Sequence, residues 1–159
     1  MDFEIKVGDP APDFRLLAVG GGYGSGQEIS LAEFHGTPVV LYFYPKDDTP
    51  GCTAQAWGLR DSWKELRTKA KIFGVSADSV ASHQMFINKR QLPFPLISDA
   101  DHTLAKGYGV CVEKNRYGRK YMGIERSTFV VGANGRIAYI LRRVKPEEHV
   151  ILLKEALGM

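Results

Sequence analysis

The chain has 159 residues, 44% of them hydrophobic, which suits one domain with a substantial core and leaves no room for a second of ordinary size. Its 21 basic and 18 acidic residues are interspersed and leave a net charge of +3, so there is no dense basic stripe of the kind nucleic-acid binders carry. No run approaches transmembrane length, and two cysteines 59 positions apart are fewer than a secreted disulfide scaffold of this size carries. The expectation is a single domain over residues 1–159 in a reducing cytoplasm, with neither nucleic acid nor membrane as a partner. The start, Met1-Asp2-Phe3-Glu4-Ile5-Lys6, is broken by charges and has no apolar signal region.

Pro10 and Pro12 forbid a helix interior over residues 7–14 and favour an extended run. A strand is expected to begin around Phe14 and Leu16. Five glycines between Gly20 and Gly26 raise the question of a phosphate-cradling loop. No Lys-Ser/Thr pair follows and no G-x-G-x-x-G precedes a helix, so this stretch reads as a flexible hairpin tip. Ser30 and Glu33 have capping-box spacing, but Gly36-Thr37-Pro38 limits them to a short helical turn.

Residues 39–44 form a continuous apolar, β-rich run that suits a buried strand. Thr49 then reads as an N-cap and Pro50 as the first residue of a helix whose apolar face is Ala56, Leu59, Trp63 and Leu66. A second buried strand follows at residues 71–76, and strand, helix, strand implies parallel pairing with a right-handed crossover.

Asp78 or Ser79 can cap a helix to about Gln91, with Val80, Gln84 and Ile87 near one face, before Leu92-Pro93-Phe94-Pro95 breaks it. A short strand at 96–99 and a short helix at 101–108 closed by Gly109 come next. Residues 111–123 read as a loop with at most a strand edge. Residues 127–131 and 136–141 flank Asn134-Gly135, the dipeptide favoured by type I′ hairpins. Pro146-Glu147-Glu148 opens a terminal helix that packs through Val150, Leu153 and Leu157. Alternating strands and helices ending in a hairpin make an α/β fold with a mixed sheet.

The chemistry concentrates at Cys52, which this reading seats in the first turn of a helix. Unpaired amides and the partial positive charge there favour thiolate over thiol. Asp47 and Asp48 oppose this by repulsion, so a cation must approach, and Arg126 at the start of the last hairpin is the candidate. His35, His83, His102 and His149 show no ligand spacing with either cysteine, so neither a metal nor another cofactor is expected.

Pro45-Lys46-Asp47-Asp48-Thr49-Pro50-Gly51-Cys52 resembles the P-x-x-x-T-x-x-C signature of peroxiredoxins. From Phe43 to Thr53 the stretch is similar to the bacterioferritin-comigratory (PrxQ) subfamily, and the likeness continues in residues 7–14, in 97–99 and in Arg126-Ser127-Thr128-Phe129. The resemblance implies a thioredoxin-like α/β fold, a mixed central sheet flanked by helices, and a thiol-dependent peroxidase acting on hydrogen peroxide and organic hydroperoxides in antioxidant defence. It implies Cys52 as the peroxidatic cysteine and Thr49 as the hydroxyl that bonds thiolate and peroxide. Pro45 becomes the shielding proline, and Arg126 the cation that holds the charge.

Many relatives carry a resolving cysteine five residues further on, where this chain has Trp57. That departure points to a one-cysteine cycle restored by thioredoxin, glutaredoxin or a small thiol, with a Cys52–Cys111 disulfide as the alternative. A thioredoxin-like disulfide reductase would need C-x-x-C, and Cys52-Thr53-Ala54-Gln55 lacks the second thiol. A non-enzymatic binding or holdase protein on the same fold is disfavoured by intact Pro45, Thr49, Cys52 and Arg126. A monomer and a weak dimer stay equally open.

Overall fold

The computed structural model describes residues 4–159, so the part of the N-terminal reading that rests on Met1, Asp2 and Phe3 lies outside the described residues. Strand β3 (Val39–Phe43), with β1 (Arg15–Val19) and β2 (Gln27–Ser30) before it, is buried along its whole length. Because side chains alternate across a strand, it divides the core in two. Val39, Leu41 and Phe43 enter one apolar cluster, and Val40 and Tyr42 enter the other.

The helices cover both faces. On the Tyr42 face, α1 (Pro50–Asp61), α3 (Val80–Arg90) and α5 (His149–Ala156) contribute Ala56 and Leu59, Phe86 and Ile87, and Leu153, while α2 (Trp63–Leu66) adds Leu66. On the Phe43 face, α4 (Thr103–Gly107) contributes Leu104 and Ala105. With β4 (Lys71–Ser76), β5 (Leu96–Ser98), β8 (Ser127–Val131) and β9 (Ile137–Leu141), the seven-stranded sheet runs in the order β2-β1-β5-β4-β3-β8-β9. The β3–β4 and β4–β5 pairs are parallel and the others antiparallel. This is the thioredoxin-like mixed sheet with flanking helices that the resemblance implies. Strand β6 (Cys111–Arg116) and strand β7 (Arg119–Ile124) form a separate two-stranded hairpin.

Five local expectations are corrected. Residues 111–123 form that hairpin, not a loop: their charged side chains are mostly exposed, so no apolar alternation marks the strands, and the turn is made by Tyr117 and Gly118 at φ 53° and 78°. The Asn134-Gly135 turn is longer than a two-residue type I′ turn, because Gly132 N–H donates to the Arg136 carbonyl and Gly135 N–H to that of Gly132. Ser30 does not cap its 3-10 turn (Leu31–Phe34) through its side chain; the Asp13 carboxylate accepts from Leu31 N–H at 2.9 Å instead. The buried face of α3 is His83, Phe86 and Ile87, whereas Val80 and Gln84 are only half-buried. Pro146, Glu147 and Glu148 make a turn before α5, which starts at His149.

Candidate active site

Three segments that are distant in sequence meet at the C-terminal end of β3. The strand runs out at Phe43, and the Thr49 backbone, extended at φ −89° and ψ 156°, begins α1 with Pro50 in its first turn. Thr53 N–H closes the first helical bond on the Thr49 carbonyl at 2.8 Å, which leaves Cys52 within that turn, 2% exposed. The Thr49 hydroxyl does not cap the helix; it donates to the Lys46 carbonyl at 2.9 Å.

Pairing of β3 with β8 brings the cation. Phe43 lies opposite Ser127, which sets Arg126 beside the loop after β3. Its Nη2 donates to Cys52 Sγ at 3.4 Å, and its Nη1 donates to Gln55 Oε1 at 2.5 Å. Gly51 makes room for this: a Cβ there would lie 3.2 Å from Arg126 Nη2 and 3.3 Å from Pro146 Cγ. The sequence names Arg126 but gives Gln55 no role at the site. Gln55 sits three positions after Cys52, on the same side of the helix, and that spacing is the signal that marks it. Pro45 is exposed, and with Arg126, Val112, Lys114 and Val144 it lines a cleft of about 560 Å³ that opens beside the site.

The two carboxylates expected to repel the thiolate are turned to other work. Asp47 is buried, accepting from the Tyr44 hydroxyl at 2.6 Å and Ser82 Oγ at 2.8 Å, with His83 Nδ1 at 2.7 Å. Asp48 lies between Lys89 at 2.7 Å and Arg90 at 2.7 Å, and those two side chains hold its carboxyl below the ordinary carboxylate range. Asp47, Asp78 and His83 also bring three potential metal ligands within 4.8 Å of one another, a grouping that spacing could not reveal because the residues come from separate segments. Each of the three side chains is already hydrogen-bonded within the protein. Asp78 accepts from Ser76 Oγ and Asp47 N–H, and His83 Nε2 lies 2.9 Å from the Ile97 carbonyl. The group reads as a buried strut that fixes the loop before Cys52.

Behind Cys52 the packing is polar as well as apolar. Among the described residues the buried Tyr42 hydroxyl, Gln55 Nε2 and His149 Nδ1 find no hydrogen-bond partner. Burial first, and then the charge of the neighbouring Cys52, hold the Tyr42 hydroxyl well above its ordinary pKa. His149 Nε2 lies 2.8 Å from Thr128 Oγ1, and burial, followed by Arg126, pushes its pKa down to about 3. Cys111 is elsewhere: it is a half-buried free thiol against the Phe43-side cluster, while Cys52 packs in the Tyr42-side cluster.

Comparison with known proteins places the chain as a whole. The family model described as AhpC/TSA matches residues 7–140. Peroxiredoxin Bcp of Bacillus subtilis is 43% identical over 147 residues, covering 92% of this chain and 90% of its own. Peroxiredoxin Bcp of Escherichia coli is 39% identical over 146 residues, covering 91% and 90%. Among solved structures, the Xanthomonas campestris bacterioferritin comigratory protein, described for its alkyl peroxide reduction activity, superposes with a TM-score of 0.84 at 38% identity, covering 91% of this chain and 90% of that one. PrxQ of Xylella fastidiosa gives 0.88 at 34% identity, covering 98% and 97%.

Proposed function

The chain belongs to the AhpC/TSA family, among the peroxiredoxins named Bcp, and from that premise we propose that Cys52 is the thiol through which it reduces peroxides. The enzyme is a thiol-dependent peroxidase. The observation that carries the assignment of Cys52 is the convergence of Arg126 Nη2, at 3.4 Å, on a buried sulfur in the first turn of α1. Cation and helix start both favour the thiolate, while neighbouring Asp47 is hydrogen-bonded to Tyr44, Ser82 and His83 and Asp48 is ion-paired with Lys89 and Arg90.

In the proposed step the Cys52 thiolate attacks one peroxide oxygen. The S–O bond forms as the O–O bond breaks, and the second oxygen leaves as an alcohol or water after taking up a proton. Negative charge moves from sulfur to the leaving oxygen, and Arg126 is the donor that follows it. The Thr49 hydroxyl spends its proton on the Lys46 carbonyl, so its lone pairs are left to accept the peroxide O–H. Pro45, Val112 and Val144 give the neighbouring cleft an apolar wall that suits an alkyl group, which supports organic hydroperoxides as substrates beside hydrogen peroxide.

We assign a one-cysteine cycle. Cys52 and Cys111 pack into clusters on opposite faces of the sheet, which disfavours a bond between them. The position five residues beyond Cys52 holds Trp57, whose ring lies 5.6 Å from the Arg60 guanidinium and 5.3 Å from that of Arg90. The sulfenic acid then waits for an outside thiol from thioredoxin, glutaredoxin or a small molecule in a reducing cytoplasm. Mass spectrometry after one equivalent of peroxide tests this. Gain of one oxygen on Cys52 is the expected product, and a Cys52–Cys111 cross-linked peptide as the major species would overturn the one-cysteine assignment.

A further inference from the structure

The proposed cycle ends when an outside thiol reaches the Cys52 sulfenic acid, and we propose that this reductant is an acidic dithiol protein that docks on one face of the β6–β7 hairpin. The proposal rests on the reading of Cys52 as the peroxidatic thiol. In the hairpin register Val112 lies opposite Gly123, Lys114 opposite Tyr121 and Arg116 opposite Arg119. Residues two apart on a strand, and residues directly opposite, share a face. One face is therefore Val112, Lys114, Arg116, Arg119 and Tyr121, with three cations and no carboxylate. The other face has Glu113 3.5 Å from Lys120, so its charges are matched.

Among the described residues, Lys114, Arg116 and Arg119 make no ion pair. Arg116 and Arg119 face each other directly, and like charges across a strand pair are destabilising. Residues 111–124 hold four cations and one carboxylate, a surplus equal to the +3 of the whole chain. Elsewhere in the chain cations and carboxylates balance, so the net surplus falls on this hairpin, and an acidic partner would relieve a repulsion that the hairpin keeps unrelieved.

The basic face begins at the active site. Val112 and Lys114 line the cleft beside Pro45 and Arg126, where the two carboxylates, Glu113 and Glu125, are paired with Lys120 and with Arg142 and Arg143, and Lys114 is anchored by its bond to the Ile124 carbonyl at 2.9 Å. From that cleft it runs outward to the exposed arginines and to Tyr121, 47% exposed, with Tyr117 at the tip 94% exposed. Arginine and tyrosine are the residues that protein interfaces use as anchors. Among the described residues the hairpin pairs with no other strand. A lipid surface fits less well. Tyr117 is flanked by Arg116, whose guanidinium lies 5.8 Å from its ring, and Met122 is on the opposite face, so no contiguous apolar edge is available for burial in a membrane.

A partner seated on this face presents its thiol at the mouth of the site. Its thiolate attacks the sulfenic sulfur of Cys52; the S–S bond forms as the S–O bond breaks, and the oxygen leaves as water after protonation. The partner's second thiol then attacks the partner's own sulfur in the mixed disulfide. Cys52 departs as thiolate, and the partner is oxidised to an internal disulfide.

The test is stopped-flow kinetics on wild type, on the double variant Arg116→Glu/Arg119→Glu, and on Lys120→Glu from the opposite face. Each is oxidised by peroxide, then re-reduced either by an acidic thioredoxin or by dithiothreitol. The double variant should slow re-reduction by thioredoxin at least about tenfold and flatten its dependence on salt, because steering by opposite charge is lost. Peroxide oxidation and dithiothreitol reduction should stay within about twofold of wild type, and Lys120→Glu should change the thioredoxin rate by less than about threefold. Equal thioredoxin rates in wild type and double variant overturn the proposal, as does an equal fall with thioredoxin and dithiothreitol. A loss in Lys120→Glu as large as in the double variant also overturns it, since net charge and not the face would then decide. If charge reversal unfolds the hairpin, Arg116→Gln/Arg119→Gln carries the same comparison. Binding of wild type but not the double variant to phosphatidylglycerol vesicles, with thioredoxin rates unchanged, would assign the face to lipid instead. Failure of the underlying reading shows separately, as a wild-type Cys52 that takes up no oxygen in the oxidation step.

Discussion

Cys52 and Cys111 are both free thiols, and their surroundings differ in almost every respect. Cys52 is nearly inaccessible, packs with Tyr42 and Tyr44, and receives a hydrogen bond from Arg126, which Gln55 holds in turn. Cys111 is more exposed, opens β6 opposite Ile124, and rests on the apolar cluster around Phe43 and Phe129; among the described residues no side chain donates to it. On the proposed assignment, the contrast teaches that fixed charge brought to a sulfur at a helix start makes the reactive position, and that exposure alone does not.

Exchanging the two thiols gives the largest expected effect. Cys52→Ser should abolish peroxide consumption, whereas Cys111→Ser should keep the first oxidation step at the wild-type rate in stopped-flow measurements. Loss of that step in Cys111→Ser alone would erase the distinction. Arg126→Met should bring Cys52 closer to Cys111 in character. Oxidation is expected to slow at least about tenfold, equivalent to about 1.4 kcal/mol of barrier, and alkylation at fixed pH should slow with it. Unchanged rates in both assays would mean that the 3.4 Å contact does not distinguish the two thiols.

The polar packing on the Cys52 face carries its own pH signature. His149 titrates at about 3 when folded, far below the about 6.5 of a free imidazole, because of burial and of Arg126. Below about 6.5 the unfolded chain takes a proton that the folded chain refuses, so this contribution to stability is full at higher pH and is lost as pH falls toward 3. The slope is up to about 1.4 kcal/mol per pH unit. Denaturant titrations of wild type and His149→Gln between those limits should differ by that slope, and parallel curves would show that His149 does not make this face pH-sensitive. The smallest effect is expected far from either thiol: Asp13→Ala removes the acceptor for Leu31 N–H and should cost about 1 kcal/mol, with peroxidase activity kept.

Much of the Cys52 environment was legible in the chain because it is set by neighbours in sequence. Thr49-Pro50 starts a helix through local backbone geometry, and the apolar run at residues 39–44 buries a strand on both faces. The P-x-x-x-T-x-x-C pattern carried the family. The hairpin at residues 111–124 escaped notice for the converse reason: mostly exposed and charged, it buries too little apolar surface to imprint an alternating pattern.

What only the tertiary structure decided is where the charges go. The sequence alone made Asp47 and Asp48 opponents of a thiolate, but folding hands Asp47 to Tyr44, Ser82 and His83, and Asp48 to Lys89 and Arg90. It likewise gave Gln55 a partner in Arg126, 71 positions away, and made Asp13 the cap of a turn 18 positions on. Helix starts and strand periods depend on backbone torsions within a few residues, so composition and spacing reveal them. A hydrogen bond between remote side chains depends on the register of strands that pair late in the chain: Phe43 opposite Ser127 is what sets Arg126 beside Cys52, and nothing local to either residue encodes that distance.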